Sequence, residues 1–282
     1  MKRALVLLTL AIAAIVRTAY AEPPKVVRIA SDGESPPYAM MSPAGSLEGF
    51  EVDLMKVLCG EAGVQCTTEI VDFSGMIAGL TQGKYDIAVA SMGITQKRLQ
   101  VIDFSEPYGG DGNVWATSKG SSIAEMPGSG TTLDLSTPEA KAKIEEMRKL
   151  VKGKTLGAQT ASISLNFLNT YFADVADIRE YEKNEEINLD LASGRLDAAV
   201  NGRQFLKAAI DQGGEFSQIE IVGPLMKGDV FGPGIGFGFR KDSGELRLAF
   251  NKALHEAGKE GTMSKLFMKW FGEDQTPPAL LK

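Results

Sequence analysis

The sequence predicts an α/β fold with two similar halves, because short apolar strands alternate with amphipathic helices twice along the chain. In the first half, an apolar strand at residues 26–30 precedes a helical pattern at residues 50–62 and a second strand at residues 87–90. In the second half, strands and helices alternate again from residue 155 to residue 210. This pattern predicts two lobes, each a mostly parallel sheet with helices on its faces.

The helices of the first half are marked by apolar residues at helical spacing and by glycines at their ends. Leu54 and Leu58 fall on one face of the first helix, and Gly63 follows as a C-terminal stop. A shorter helix is predicted around residues 76–80, ending at Gly83.

The second half is predicted to contain strands at residues 155–158, 178–181 and 196–200 and helices at residues 162–172, 185–193 and 204–210. Before it, residues 137–151 predict an amphipathic surface helix with Pro138 at its first position. Near the C-terminus, residues 246–257 form another helical core stripe. His255 lies at the margin of that stripe and is interpreted as a solvated helix residue, since no nucleophile motif accompanies it.

The N-terminus is typical of a secretory signal peptide at residues 1–21. Lys2 and Arg3 are followed by an almost wholly apolar run at residues 4–16, and small residues lead to a cleavage site after Ala21. A membrane anchor is the alternative, but the apolar run is too short to span a bilayer comfortably. We therefore expect an exported protein.

The charge balance of the expected mature chain excludes some classes of partner. Without the signal peptide the chain holds 27 basic against 36 acidic residues, a net charge of −9. An acidic surface repels phosphate backbones, so nucleic-acid binding is not expected, and the balance favours a soluble monomer.

Two cysteines, Cys59 and Cys66, lie close together in the sequence. In an oxidising compartment such a pair predicts a short-loop disulfide, and two buried free thiols are the alternative that spacing leaves open. With these cysteines and a single histidine, no zinc site is expected, and we predict neither a metal nor a cofactor.

Three polar loops follow predicted strands, where ligands of open α/β sheets bind. Arg98 in the first loop can hold a carboxylate through two parallel hydrogen bonds, and Ser162 in the second can cap a helix whose first N–H groups face an anion. In the third loop, Asp32 or Glu34 can bind a cationic group. The candidate residues of the loops are Asp32, Glu34, Ser35, Ala90, Ser91, Met92, Gly93, Arg98, Gln159, Ser162, Ile163 and Ser164.

Each assignment has a simpler alternative. Arg98 can be a surface charge on the following helix, and Asp32 and Glu34 can both be solvated loop acids. A plain N-cap role for Ser162 is compatible with ligand binding. Local pattern does not choose among these alternatives.

Six short motifs occur in order at residues 49–54 (GFEVDL), 85–88 (YDIA), 94–98 (ITQKR), 103–108 (DFSEPY), 194–199 (GRLDAA) and 236–241 (GFGFRK). Together they resemble the periplasmic polar amino-acid-binding proteins of ABC transporters, the family of the lysine/arginine/ornithine- and histidine-binding proteins. The resemblance covers essentially the whole mature chain. It also places the cysteine pair where the basic amino-acid binders carry a disulfide.

The resemblance implies a periplasmic, type II two-lobed binding protein with a two-strand hinge. Lobe 1 would comprise residues 22–114 and 223–282, and lobe 2 residues 115–222. A small-molecule ligand that touches both lobes only in the closed form would drive hinge closure, and the closed form would dock on a membrane permease. No enzymatic activity and no catalytic residue are expected.

The resemblance also implies a role for each site residue. Arg98 would hold the α-carboxylate of the ligand, Ser91 and Gly93 would add backbone contacts, and Ser162 with Ile163 would close from the other lobe. Phe73 would form an aromatic wall of the pocket. Asp32 would bind a distal cation of the ligand.

Two departures from the family pattern suggest an unusual ligand. Gly202, after Asn201, stands where amino-acid binders carry an acid for the α-ammonium, and Ser35 stands where an aromatic would face Phe73. An unpaired buried ammonium would cost several kcal/mol, by an order-of-magnitude estimate, so an ordinary amino acid fits poorly.

The Asn201-Gly202 pair and the segment at residues 134–153 resemble the opine-binding members, which take octopine or nopaline. We therefore expect an opine, an N-carboxyalkyl derivative of arginine, or otherwise a basic or polar amino acid. Trp115 and Met92 would shape a larger pocket, although core packing is an equal alternative for Trp115.

Two other functions compete with the binding-protein interpretation. A cyclohexadienyl dehydratase would require a general acid in the cleft, for which Glu34 and Asp111 are the candidates. A sensor module would require a transmembrane or signalling segment after the signal peptide, and the sequence predicts none.

Overall fold

The computed structural model describes residues 25–110 and 112–282. The predicted signal peptide with its cleavage site, and the rival general acid Asp111, lie outside the described residues.

The strands are β1 (Val26–Ser31), β2 (Glu34–Ser35), β3 (Ala39–Met41), β4 (Leu47–Glu48), β5 (Gln65–Ile70), β6 (Ile87–Ala88), β7 (Asp103–Phe104), β8 (Asn113–Ser118), β9 (Thr132–Asp134), β10 (Thr155–Gln159), β11 (Asp177–Tyr181), β12 (Ala198–Gly202), β13 (Ile219–Lys227) and β14 (Gly238–Phe239). The α-helices are α1 (Phe50–Glu61), α2 (Phe73–Thr81), α3 (Gln96–Leu99), α4 (Pro138–Leu150), α5 (Ile163–Tyr171), α6 (Asn184–Ala192), α7 (Arg203–Gln212), α8 (Gly244–Lys259) and α9 (Thr262–Phe271). Short 3₁₀ helices lie at Ser122–Glu125, Gly214–Gln218, Asp229–Phe231 and Pro278–Leu281.

The first lobe is built on a sheet with the strand order β5-β1-β6-β14-β7. β1 pairs in parallel with β5 and β6, whereas β14 is antiparallel to β6 and β7. Leu54 and Leu58 of α1 are fully buried in one core with Phe250 and Leu254 of α8. Burial of these helical apolar stripes holds α1 and α8 together, as the spacing predicted.

The second lobe is built on a sheet with the strand order β11-β10-β12-β8-β13-β9. Its parallel β10, β11 and β12 continue into antiparallel β8 and β13. The apolar stripe of α4, which includes Ala140, Ile144 and Met147, is buried in this lobe's core. The predicted two-lobed α/β architecture is confirmed, with mixed sheets in both lobes.

The chain passes between the sheets twice, between β7 and β8 and between β13 and β14. At this crossing the Ile235 N–H donates to the Gly109 carbonyl at 3.0 Å. Gly110 (φ 100°) and Gly234 (φ 142°) adopt backbone conformations that favour glycine. The division of the chain at residues 114/115 and 222/223 stays a prediction, and β13 itself runs on to Lys227.

Several strands differ from what the sequence pattern predicted. β5 is an edge strand whose side chains are mostly exposed, so it lacks apolar alternation. β13 contains Gly223 and Pro224, and its register against β8 shifts after Val222. The strand predicted at residues 87–90 pairs only over Ile87–Ala88.

Cys59 and Cys66 form the predicted disulfide, which joins the end of α1 to β5 across 6.2 Å between their Cα atoms. Among the described residues, no helix is long and apolar enough to cross a membrane.

Candidate ligand-binding cleft

A cavity of about 340 Å³ lies between the two lobes, next to the carboxyl ends of β1, β6, β10 and β12. Open α/β sheets bind ligands at this edge. The predicted residues that line the cavity are Asp32, Ser35, Phe73, Ala90, Ser91, Gly93, Arg98, Gln159, Ser162, Ile163, Ser164, Asn201 and Gly202. Glu34, Met92 and Trp115 are not part of this lining.

Arg98 is a buried cation in the cavity wall, only 8% exposed, and not a surface charge. Its Nη1 donates to the Gly93 carbonyl at 2.8 Å and its Nη2 to the Ala161 carbonyl at 2.9 Å, so the guanidinium touches both lobes. The Phe73 ring centroid lies 5.5 Å from its Cζ, within cation–π range. Burial lowers the Arg98 pKa to about 10, which leaves the group charged at neutral pH. In the ranges that the structure describes, no carboxylate forms a salt bridge with it.

The first turn of α5 faces the same cavity from lobe 2. The Ser162 hydroxyl accepts a hydrogen bond from the Leu165 N–H at 3.0 Å and so caps the helix as predicted. The N–H groups of Ile163 and Ser164 belong to that first turn, where no intrahelical acceptor exists. A Cβ at Gly93 would lie 2.8 Å from the Ile163 side chain, so glycine at 93 permits close approach of the lobes.

Ser91 lines the cavity, but its backbone N–H already has a partner within the protein. This N–H donates to Oε1 of the fully buried Glu51 at 2.7 Å, and the backbone contact of Ser91 with a ligand stays a prediction. The Tyr108 hydroxyl donates to the same oxygen. Ser91 also adopts a left-handed backbone conformation, with φ 40°.

The structure separates the two acids of the third loop. Asp32 is buried and lines the cavity, where it accepts hydrogen bonds from the Ser35 hydroxyl at 2.6 Å and the Glu34 N–H at 3.3 Å. Burial raises the pKa of Asp32 to about 6. Glu34 instead pairs across the cleft with Lys183, whose Nζ lies 2.6 Å from Oε1.

Two residues expected to shape the pocket belong to the cores. Trp115 is fully buried in lobe 2, with its ring centroid 5.2 Å from that of Phe172 and 6.0 Å from that of Phe167. Met92 is 1% exposed in a core cluster of lobe 1. Core packing, the alternative that the sequence left open for Trp115, is the one the structure shows.

The lobe 2 wall at the position of the missing acid is made of amides. Asn201 Nδ2 donates to Asn184 Oδ1 at 2.8 Å, and Asn184 Nδ2 donates to Gln159 Oε1 at 3.2 Å. The Gly202 N–H donates to Asn201 Oδ1 at 2.8 Å, and Gln159 Nε2 donates to the Glu182 carbonyl at 3.1 Å. Gln159, Asn201 and Gly202 all line the cavity.

Several residues line the cavity that no sequence pattern had indicated, among them Tyr38, Asn113, Asp134, Phe205 and Lys227. Tyr38 and Phe205 bring aromatic rings to within 6.1 Å of each other. They come from helices and loops far apart in the chain, and their local patterns show only apolar or turn residues. Lys227 and Asp134 belong to paired strands, so the unpredicted end of β13 supplies this charged corner.

His255 lies outside the cavity lining. Its Nε2 is 2.9 Å from Oε2 of Glu106, so the side chain is paired and not simply solvated. The described part of the chain holds no cluster of three His, Cys, Asp or Glu side chains placed to bind a metal ion.

The chain matches the family model of the bacterial extracellular solute-binding proteins, family 3, over residues 27–273. It is 37% identical over 273 residues to the octopine-binding periplasmic protein of Rhizobium meliloti, which covers 90% of this chain and 92% of the relative. It is 32% identical over 275 residues to the lysine/arginine/ornithine-binding periplasmic protein of Escherichia coli K12, which covers 96% and 97%.

Among solved structures, an ancestral arginine-binding protein bound to arginine aligns with a TM-score of 0.75 at 29% identity, covering 89% of this chain and 100% of that one. The family model and these alignments span the two lobes and both sides of the cleft. The chain therefore belongs to the bacterial extracellular solute-binding proteins of family 3.

Proposed function

We propose that this protein binds an amino-acid derivative of the opine type, or otherwise a basic amino acid, in the periplasm and delivers it to the permease of an ABC uptake transporter. The observation that carries the proposal is Arg98, a buried guanidinium on the cavity wall with no carboxylate salt-bridged to it among the described residues. A ligand carboxylate would complete its charge balance through charge-assisted hydrogen bonds.

The opposite charge on the cavity wall supports a ligand with a distal cation. Asp32 lines the cavity from lobe 1 and keeps its carboxylate oxygens within a hydrogen-bonded loop. A ligand that carries a carboxylate for Arg98 and a guanidinium or ammonium for Asp32 would satisfy both buried groups. Arginine and its N-carboxyalkyl derivatives have this arrangement.

Asn201 and Gly202 support a derivative over the free amino acid. An uncharged amide stands beside a glycine where the family's amino-acid binders carry an acid, and a Cβ at position 202 would already approach the Phe205 ring to 3.3 Å. Glycine avoids this contact and adds no side chain to the cavity wall beside the proposed ligand amine. The 37% identity to an octopine-binding relative points the same way.

Contacts between the lobes support binding by closure. Arg98 donates to the Ala161 carbonyl, Lys183 pairs with Glu34, and the Ser74 hydroxyl donates to Glu182 at 3.0 Å. A ligand that adds contacts to both lobes would favour this closed arrangement over an open one. Movement of residues 22–114 and 223–282 against residues 115–222 is the proposed closing motion.

A binding role without catalysis is supported by the placement of Glu34. As a general acid for a dehydratase it would have to reach the substrate, but it pairs with Lys183 and is not part of the cavity lining. Export through the predicted signal peptide, cleavage after Ala21 and a monomeric mature form complete the proposal, in keeping with periplasmic relatives.

A thermal-shift titration of the mature protein tests the proposal. Octopine, nopaline, arginine, lysine and histidine serve as probes, and a probe at about 100 times its dissociation constant should add roughly 2.7 kcal/mol to the unfolding free energy. The proposal fails if no probe raises the melting temperature. Turnover of prephenate or arogenate by the same sample would contradict the non-enzymatic part.

A further inference from the structure

A chain of three amides, Gln159, Asn184 and Asn201, forms the lobe 2 wall of the cavity, and its two ends fix the direction of every hydrogen bond. At one end the Gly202 N–H can only donate, so Asn201 must present Oδ1 to it. At the other end the Glu182 carbonyl can only accept, so Gln159 must present Nε2 to it. Amide orientation follows from such partners, because oxygen and nitrogen have opposite roles.

The three amides have more N–H donors than the hydrogen bonds between them use. An amide side chain has one oxygen and two N–H groups. Asn201 uses its oxygen on Gly202 and one N–H on Asn184, and Gln159 uses its oxygen on Asn184 and one N–H on Glu182. Each therefore keeps one N–H beyond the chain, and both residues line the cavity.

Reversing either amide would break the chain. If Asn201 turned by 180°, its NH₂ group would face the Gly202 N–H and its oxygen would face Asn184 Oδ1, and both hydrogen bonds would be lost. Asn184 is only 6% exposed, so solvent has little access to it. Loss of buried hydrogen bonds of this kind is unfavourable, so the orientation of the amides is fixed and the spare N–H groups belong to two residues of the cavity wall.

We infer that the Gln159–Asn184–Asn201 chain is a subsite for a second carboxylate of the ligand, borne on a carbon attached to the amine nitrogen. The inference rests on the proposed function. A free α-ammonium is a donor only and could use only the second lone pairs of the amide oxygens, whereas a carboxylate oxygen accepts from both remaining amide N–H groups. The subsite thus selects N-carboxyalkyl amino acids over the parent amino acid.

Three probes that share the arginine moiety test this. Arginine has a primary amine, Nα-methylarginine has a substituted amine without a second carboxylate, and octopine has both. We expect calorimetry on the wild type to give octopine a dissociation constant at least about tenfold below that of either other probe, as for a lost hydrogen bond to a charged group. Equal affinity for octopine and Nα-methylarginine overturns the inference, because the amide wall would then accommodate a substituent on the amine without binding its carboxylate.

Asn201→Asp replaces the donor with a carboxylate of the same shape. The variant should bind octopine at least about tenfold more weakly than the wild type does. Its affinity for arginine should be unchanged or higher, since an acid repels the second carboxylate and attracts an ammonium. Gln159→Glu is the second variant, should Asn201→Asp not fold. Asn169→Asp, the same exchange at an exposed position of α5, is the control and should keep the octopine-to-arginine ratio within about twofold of the wild type.

A uniform loss of affinity for both ligands in Asn201→Asp and Gln159→Glu would overturn the subsite. Binding of arginine without octopine by the wild type would also overturn it and leave the proposed function standing. Failure of these three probes and of nopaline, lysine and histidine to bind the wild type would instead overturn the proposed function, and the inference with it.

Discussion

Lys183 of lobe 2 reaches across the cleft to Glu34 of lobe 1, with Nζ 2.6 Å from Oε1. The two residues are 149 positions apart in sequence, and the pair adjoins the Ser74–Glu182 hydrogen bond. Such a pair exists only while the lobes are together, so it stabilises the closed form without touching the ligand.

Lys183→Ala should therefore weaken ligand binding although the residue is not part of the cavity lining. Both side chains are partly exposed, 52% and 37%, so the effect should be at most about 1 kcal/mol, or about fivefold in the dissociation constant. Calorimetry at low salt measures the loss, which should shrink at high ionic strength because salt screens exposed pairs. Lys152→Ala, at an exposed position of lobe 2, is the control. Unchanged affinity in Lys183→Ala at low salt contradicts the prediction.

Asp32 should make ligand binding depend on pH. Burial raises its pKa to about 6, and only the carboxylate form attracts a ligand cation. Protonation of Asp32 at pH 5 should therefore weaken the binding of arginine or octopine about tenfold relative to pH 7.5.

Asp32→Asn is the matched variant for this test. It should bind weakly at pH 7.5 and show little change between pH 5 and pH 7.5, as measured by calorimetry. If the variant keeps the full pH dependence of the wild type, another group is responsible and the role of Asp32 is wrong.

Because of Glu51, the folded protein should become less stable as pH rises. Burial raises its pKa to about 8, above its value in the unfolded chain, so the folded state holds a proton that the unfolded chain releases. Its contribution is fully present below about pH 4.3, the unfolded pKa, and is lost as pH rises toward 8, by on the order of 4 kcal/mol.

Denaturant unfolding at pH 5 and pH 8 measures this effect. Glu51→Gln cannot ionise, and its amide oxygen still accepts from Ser91, so the variant should lose less stability between the two pH values than the wild type. Glu61→Gln, at the exposed end of the same helix, should behave like the wild type. An unchanged pH dependence in Glu51→Gln would show that the carboxyl at 51 does not titrate in this range.

The sequence predicted the loops of the cleft because each loop directly follows a strand and carries a distinctive group. Arg98, Ser162 and Asp32 line one cavity as expected, since the carboxyl ends of the parallel strands meet at one edge. The choice between Asp32 and Glu34 was not open to local pattern. It depends on Lys183, which comes from the other lobe.

Other parts of the site left no local signal. Every side chain from Asn113 to Thr117 is buried, because β8 lies inside its sheet, so nothing in the pattern distinguished Trp115 in the core from Trp115 in the pocket. Asn184 begins an ordinary helix, and its link between Gln159 and Asn201 appears only when three separate elements are brought together.

Arg98 should be the residue on which ligand affinity depends most. Arg98→Ala removes the buried cation, leaves the ligand carboxylate unpaired and should weaken binding by about 2 kcal/mol or more, roughly 30-fold. Arg98→Lys should recover only part of the loss, because an ammonium cannot contact Gly93, Ala161 and a carboxylate in the fork geometry of a guanidinium. Lys97→Ala, the exposed cation next in sequence, is the calorimetric control and should bind like the wild type. Wild-type affinity in Arg98→Ala would mean that the ligand carboxylate lies elsewhere and that the proposed orientation of the ligand in the cleft is wrong.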